Sequence, residues 1–229
     1  MFLIVVDKDA SFAFDTGLKF STFEAAVNAQ NLNAVWDLSS NANWNAYKAI
    51  DTNLNDGTKN NGTRWLFAAV FTDGQPAVDQ VAFVTTKSSA ANLAALTMGD
   101  YYDKAAQVQL KIGDTNQLPG QQAGGVAANG SSVSLVGKAG YFGDLMNFGA
   151  LNYFIGNKVG DSSSIYYESA LSEEPSDGMQ SVAYRNSSVS FDGNKLTVTV
   201  TAVPEPETYA LMLAGLVAVG GIARRRRAA

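Results

Sequence analysis

The side chains of this chain that can do chemistry are few, and they are of one kind. It has no histidine and no cysteine. That removes the Ser-His-Asp triad, imidazole-ligated zinc or iron, thiol nucleophiles, thiolate metal sites and disulfides. Carboxylates remain. Glu173 and Glu174, with Asp161 and Asp177 nearby in sequence, are the residue types an acid/base pair for glycoside cleavage requires. Pro175-Ser176-Asp177-Gly178 reads as a turn, however, so a solvated loop is the favoured reading of this group. Asp51, Asn53 and Asn55 set oxygen atoms at alternate positions, as the start of a calcium loop does. Gly57 comes one residue late and Gly62 stands where the closing glutamate belongs, which favours an Asx-rich turn. No catalytic residue, resident metal or cofactor is assigned, and the chain reads as non-enzymatic.

Two further groups suit binding rather than catalysis. Trp36 and Trp44, with the pairs Tyr101-Tyr102 and Tyr166-Tyr167, are candidates for stacking on sugar rings. A core role for the tryptophans, with one tyrosine of each pair facing out, is the plainer reading. Thr197-Val198-Thr199-Val200-Thr201 puts its threonines on one face of a strand. Ranks of threonine suit ice binding, but one rank is not an array. A solvent-facing edge strand is the expectation.

The elements that hold these residues read as mainly β with a few short helices, a β-sandwich-like α+β body. Strands are expected at Phe2–Val6, Trp65–Phe71, Gln80–Thr86, Ser164–Tyr167, Ser181–Tyr184, Ser187–Phe191 and Lys195–Thr201. Turns are expected at Thr72–Pro76 and Asp192–Asn194. Ser21 and Glu24 form a capping-box pattern for a helix over Thr22–Ala29. Trp44–Ile50 and Ser88–Met98 also read as helical. Gly113–Ser132 reads as a long polar loop, and Leu145–Phe154 as a buried apolar segment. Residues 1–202 are long enough to bury one sizeable core.

The end of the chain has a different composition. Pro204 and Pro206 fix φ and lack N–H groups, so Val203–Thr208 is a stiff extended box. Residues 209–223 carry no charge and are apolar on every side; Tyr209, Leu211, Leu213, Leu216, Val217, Val219 and Ile222 supply the bulk. As a helix at about 1.5 Å per residue this segment, with Thr208, reaches ~24 Å, short of the ~30 Å hydrocarbon core. Arg224, Arg225, Arg226 and Arg227 follow; their stems bury while their guanidinium groups reach the interface, which extends the span. Charge on that flank alone orients the helix with the arginines inside and the body outside. Without these four arginines, Glu205 and Glu207, the 16 basic and 21 acidic residues fall to about 12 and 19. The body is mildly acidic, which argues against nucleic acid as a partner.

The order Pro204-Glu205-Pro206, apolar helix, arginine cluster resembles a PEP-CTERM sorting signal, an element also called the ice-binding protein C-terminal domain. The resemblance covers about the last tenth of the chain, residues 203–227. It implies an exported protein of a Gram-negative bacterium that makes exopolysaccharide. It implies transient recognition by an exosortase, cleavage near the Pro-Glu-Pro box, and the helix as a temporary anchor in the bilayer. Such proteins begin with a secretory signal peptide. Here Met1–Asp7 has no positive n-region and too short an apolar run. The expected signal is missing from this start site, which points either to a start codon assigned too far downstream or to a chain from which the signal was left off. The expectation is therefore a protein held in the inner membrane as a precursor, then at the cell surface or in the extracellular matrix. Its expected role is structural or adhesive in a biofilm setting, with exopolysaccharide as a partner. A carbohydrate-binding module is the alternative; a carboxylate-only hydrolase and an ice-binding protein come behind it.

Overall fold

The computed structural model describes residues 1–50, 62–70, 81–88, 130–138, 140–143, 156–170, 179–184, 186–202 and 214. Among them, two antiparallel sheets and two short helices make up a mainly β body. The expected helix and segment at Ser88–Met98 and Leu145–Phe154, and the Thr72–Pro76 turn, lie outside the described residues apart from Ser88.

Strand β1 (Phe2–Val6) sits inside the larger sheet, paired with β2 (Ala10–Asp15) on one side and β4 (Arg64–Val70) on the other. Its unbroken apolar run has a direct cause. Leu3 and Val5 point into the main core, while Ile4 and Val6 point into a second cluster on the opposite face. A strand covered on both faces has no polar side to alternate with. The β1–β2 turn is tied by the buried Asp7, whose Oδ1 accepts from the N–H groups of Asp9 at 2.8 Å and Ala10 at 2.6 Å.

The larger sheet continues through β5 (Val81–Thr86), β9 (Ile165–Ala170) and β10 (Met179–Ala183). Beyond β2 it is closed by β6 (Ser131–Leu135). The two-residue β7 (Asn157–Lys158) pairs with the start of β4. The smaller sheet runs β3 (Leu32–Asp37), β12 (Lys195–Val200), β11 (Ser187–Phe191) and β8 (Ser162–Ser163). Both sheets feed one core: Leu3, Phe12, Trp65 and Val84 from the larger, Val189, Phe191, Leu196 and Val198 from the smaller.

Helix α1 spans Phe20–Asn28, two residues earlier than the capping-box reading. Lys19 is the N-cap and offers no side-chain bond. Phe20, Phe23 and Val27 are the residues that reach the core, and this spacing sets the helix start. Ser21 then falls inside the first turn. The helix ends in a Schellman arrangement: Gln30 N–H donates to Val27 O at 3.1 Å and Asn31 N–H to Ala26 O at 3.0 Å, with Gln30 at φ 52°. Helix α2 spans Ala42–Ile50, also starting earlier than expected. Asn41 caps it, Oδ1 accepting from Trp44 N–H at 2.9 Å.

Three expectations are corrected. The Gly113–Ser132 loop reading overruns the start of β6, whose serines carry no apolar alternation. Ser131 is held instead by buried amides of α2: Asn43 Nδ2 donates to Ser131 O at 2.7 Å and Asn41 Nδ2 to Ser131 Oγ at 3.1 Å. The threonine strand is not an edge, because β12 lies between β3 and β11, and Thr201 falls past its end. Strands β2 and β3 were not foreseen at all: β2 forms a hairpin with β1 across Asp7–Asp9, and β3 pairs, among the described residues, only with the distant β12.

Two stability outcomes follow. Asn43→Ala leaves the buried Ser131 carbonyl short of a donor and lowers unfolding free energy by about 1–3 kcal/mol, measured as a fall in the urea midpoint. Tyr184→Phe does the reverse. The Tyr184 hydroxyl is buried with no hydrogen-bond partner among the described residues. Burial, with Glu24 and Tyr167 adding to it, pushes its pKa well up from the usual tyrosine value. The unfolded chain gives up this proton above about pH 10 while the folded chain keeps it, so wild-type stability declines as pH rises beyond that point. Tyr184→Phe lacks that share of the decline and is at least as stable as wild type at neutral pH; paired melting curves at neutral and alkaline pH test both.

Candidate functional site at the C-terminal end of the small sheet

Strand β12 begins at a turn set by its own residues. Asp192 Oδ1 accepts from Asn194 N–H at 2.8 Å and Lys195 N–H at 2.7 Å, and Gly193 adopts φ 100°. Leu196, Val198 and Val200 then enter the core. At its far end Val200 is paired with Leu32 of β3 and Ser187 of β11. Thr201 N–H makes one last bond, to Asn186 O at 3.1 Å. Thr201 and Ala202 are exposed. The chain thus leaves the body from an interior strand, with its grip intact up to the last residue. The neighbouring side chains Gln30, Asn31 and Asn186 are exposed and neutral.

The outward face of this small sheet was only partly legible. Register places Asn33, Thr199 and Ser188 in one row. Val35, Thr197, Ser190 and Ser162 form the next. Rows of this kind lie about 6.8 Å apart along the strands, with neighbours about 4.8 Å apart across them. Asp37 and Lys195 close one end of the face. Hydrogen bonds from the Ser39 side chain and backbone, and the nearby Lys195 charge, hold the Asp37 carboxyl below its usual pKa. The threonine alternation was visible in the sequence. Its neighbours on β3, β11 and β8 come from distant segments, and no local pattern marks them.

The tryptophans separate into two environments. Trp44 is wholly buried. Its ring stacks on Tyr47 at 5.3 Å and meets Phe12 at 5.1 Å and Phe191 at 5.3 Å. Its Nε1 donates to Gly193 O at 2.9 Å. No face is left for a sugar, which corrects its place among the stacking candidates. Trp36 is half-buried on the inner side of β3 and donates to Thr16 O at 3.0 Å. Trp65 is buried and bonds Lys158 O at 2.7 Å. Tyr166 and Tyr167 are each half-buried; Lys87 Nζ lies 4.4 Å from the Tyr166 ring centre, and Tyr167 packs on Tyr184 at 5.0 Å.

Among the carboxylates, Asp161 is exposed, whereas Glu173, Glu174 and Asp177 lie outside the described residues. So do Asp51, Asn53 and Asn55, and Tyr101 and Tyr102. Among the described residues no group of three or more acidic side chains is placed to hold a metal ion. Pro204, Glu205 and Pro206, the apolar positions Tyr209 to Ile222 and Arg224 to Arg227 are also outside, apart from Ala214. No helix among the described residues is long and apolar enough to cross a membrane.

A family model for the PEP-CTERM protein-sorting motif matches residues 202–227. The match begins two residues after Val200, where β12 ends. It supports an exported chain that transits the membrane and is recognised by an exosortase. No curated protein and no solved structure matches the chain.

The tryptophan environments are separable in solution. In a Trp36→Phe variant the remaining emission comes from Trp44 and Trp65 and is nearly insensitive to acrylamide, whereas wild type retains a quenchable share. Trp44→Ala empties the centre of an aromatic cluster and costs about 3–5 kcal/mol of stability, so a binding loss in that variant has to be checked against its melting curve.

Proposed function

We propose that this chain is a non-enzymatic protein of the cell surface or extracellular matrix, delivered there by exosortase sorting, with a structural or adhesive role. The observation that carries the reading is the sorting motif at residues 202–227, attached without a linker domain to the last strand of the body. In this reading residues 1–202 are the exported body and 203–227 are the signal. Residues 203–208 present the Pro-Glu-Pro box, 209–223 cross the bilayer as a helix, and Arg224–Arg227 remain on the cytoplasmic side. The exosortase is a transient partner, the bilayer a temporary one and exopolysaccharide the lasting one.

Three features support a body built for contact rather than catalysis. The chain lacks the histidine and cysteine that most hydrolytic and transfer sites use. Its small sheet turns a neutral, hydroxyl-rich face outward, which suits a neutral, hydroxyl-rich matrix. Among the described residues its aromatic side chains are largely spent on the core, with Trp44 and Trp65 fully buried.

Intact mass spectrometry of the protein from its native host, combined with fractionation, tests the sorting. The expected outcome is loss of the segment after the Pro-Glu-Pro box in a surface or secreted fraction, and retention of the full tail when Pro204 and Pro206 are both changed to alanine. A wild-type chain that keeps Arg224–Arg227 in an inner-membrane fraction would make it a tail-anchored membrane protein and remove the extracellular role.

A further inference from the structure

Each sheet ends in two edge strands, and an edge strand carries unpaired backbone groups that invite pairing. On the larger sheet, β6 is covered by α2 through the Asn43–Ser131 bond, and β10 is flanked by segments outside the described residues. On the smaller sheet β8 has only two residues. Strand β3 differs from all three. It is six residues long, its register with β12 is unbroken, and it contains no proline, glycine or lysine.

The free side of β3 can be assigned. Leu38 N–H donates to Asn194 O at 2.7 Å, which fixes the phase of the β3–β12 ladder. On the opposite side of β12, Asp192 N–H donates to Lys195 O and Thr201 N–H to Asn186 O, in the complementary phase. Antiparallel pairs alternate, so Leu32, Ala34 and Trp36 spend their backbone groups on β12. Asn33, Val35 and Asp37 turn theirs to the open edge, and no backbone partner for them is present among the described residues. The same three residues hold the outward side chains, and Val35 is 56% exposed, one of two large hydrophobic side chains left in solvent among the described residues.

We infer that β3 is a self-association edge, pairing antiparallel with β3 of a second copy about a two-fold axis through Val35. This register uses all three free residues of each strand. It sets Val35 against the partner's Val35, a hydrophobic cross-strand pair. It sets Asn33 opposite the partner's Asp37, so an amide donor meets a carboxylate acceptor and no like charges face each other. On the inner face Ala34 stands opposite the partner's Trp36, small against large. A register centred on Asp37 would bring the two carboxylates together and leave Val35 unpaired. The pattern is self-complementary at one register, as an isologous contact requires. Pairing joins the two small sheets into one of eight strands and makes their neutral outer faces continuous.

The test uses the full chain in mild detergent. Sedimentation velocity is expected to show a concentration-dependent dimer that is lost in Val35→Lys, with the circular dichroism spectrum unchanged because the position is exposed. The absence of native cysteine gives a second readout. Directly paired residues on such strands have Cα atoms about 5.5 Å apart, within disulfide reach. Val35→Cys is therefore expected to cross-link across the axis under a mild oxidant. Asn33→Cys alone, about 14 Å from its copy in this register, is not. A chain that is monomeric at all concentrations overturns the inference. So does a dimer that survives Val35→Lys, which would arise from the apolar tail, or cross-linking of Asn33→Cys as rapid as that of Val35→Cys.

Discussion

A strand without a polar side has to be covered twice, and β1 imposes that requirement on the whole body. Leu3 and Val5 need one cover, Ile4 and Val6 another. Each such side chain gains roughly 1.5–3 kcal/mol on full burial, so neither face can be left to water. The inner cover is the small sheet, together with the aromatic side chains of α2. The outer cover includes Tyr141 and Phe142, which lie over Ile4, Val6, Ala13 and Leu66. Tyr141 is pinned there by its hydroxyl, which donates to Asp7 O at 2.7 Å. The same turn that reverses the chain after β1 thus also anchors the segment that hides it.

Covering a sheet on both sides creates a second difficulty, since polar groups at its margin become buried as well. Ser11, Ser131, Ser132 and Ser134 are all buried near the β2–β6 margin. Ser11 is satisfied locally: its hydroxyl donates to Gly140 O at 3.4 Å and accepts from Phe142 N–H at 3.1 Å. Ser131 is satisfied by Asn41 and Asn43, which stand in the cap and first turn of α2. The hydroxyls of Ser132 and Ser134 have no hydrogen-bond partner among the described residues, and a neutral hydroxyl bears that burial at far lower cost than a charge would.

What could be read ahead of the structure follows from how local each signal is. Lys195–Val200 combines β-branched alternation with an Asp-Gly-Asn turn before it, and its strand appeared within one residue of the expected end. The Trp65–Phe71 and Gln80–Thr86 pair was equally visible, since both strands are rich in apolar and β-branched residues. β6 was hidden because its serines look like loop, and their burial depends on amides some 90 residues away. β3 was hidden because Asn33 and Asp37 interrupt its apolar residues, and only its pairing with β12 explains them. The tail was legible as a motif without any structure, because its three parts act by composition and order. The stacking role for Trp44 could not be judged from sequence, since its exposure is decided by Phe12 of β2 and Phe191 of β11 converging on it, together with Tyr47 one turn along its own helix.

The exit of the chain from β12 also bears on mechanical load. A body held through its C-terminus is pulled at Val200, along the axis of a strand bonded on both sides. Inter-strand hydrogen bonds run across that axis, so tension strains the bonds to β3 and β11 together in shear rather than peeling them apart one at a time. Had the tail left from an edge strand, drawn sideways, the ladder would open like a zip. An interior strand as the point of exit makes the C-terminal end of the body hardest to extract when the chain is pulled along the strand axis.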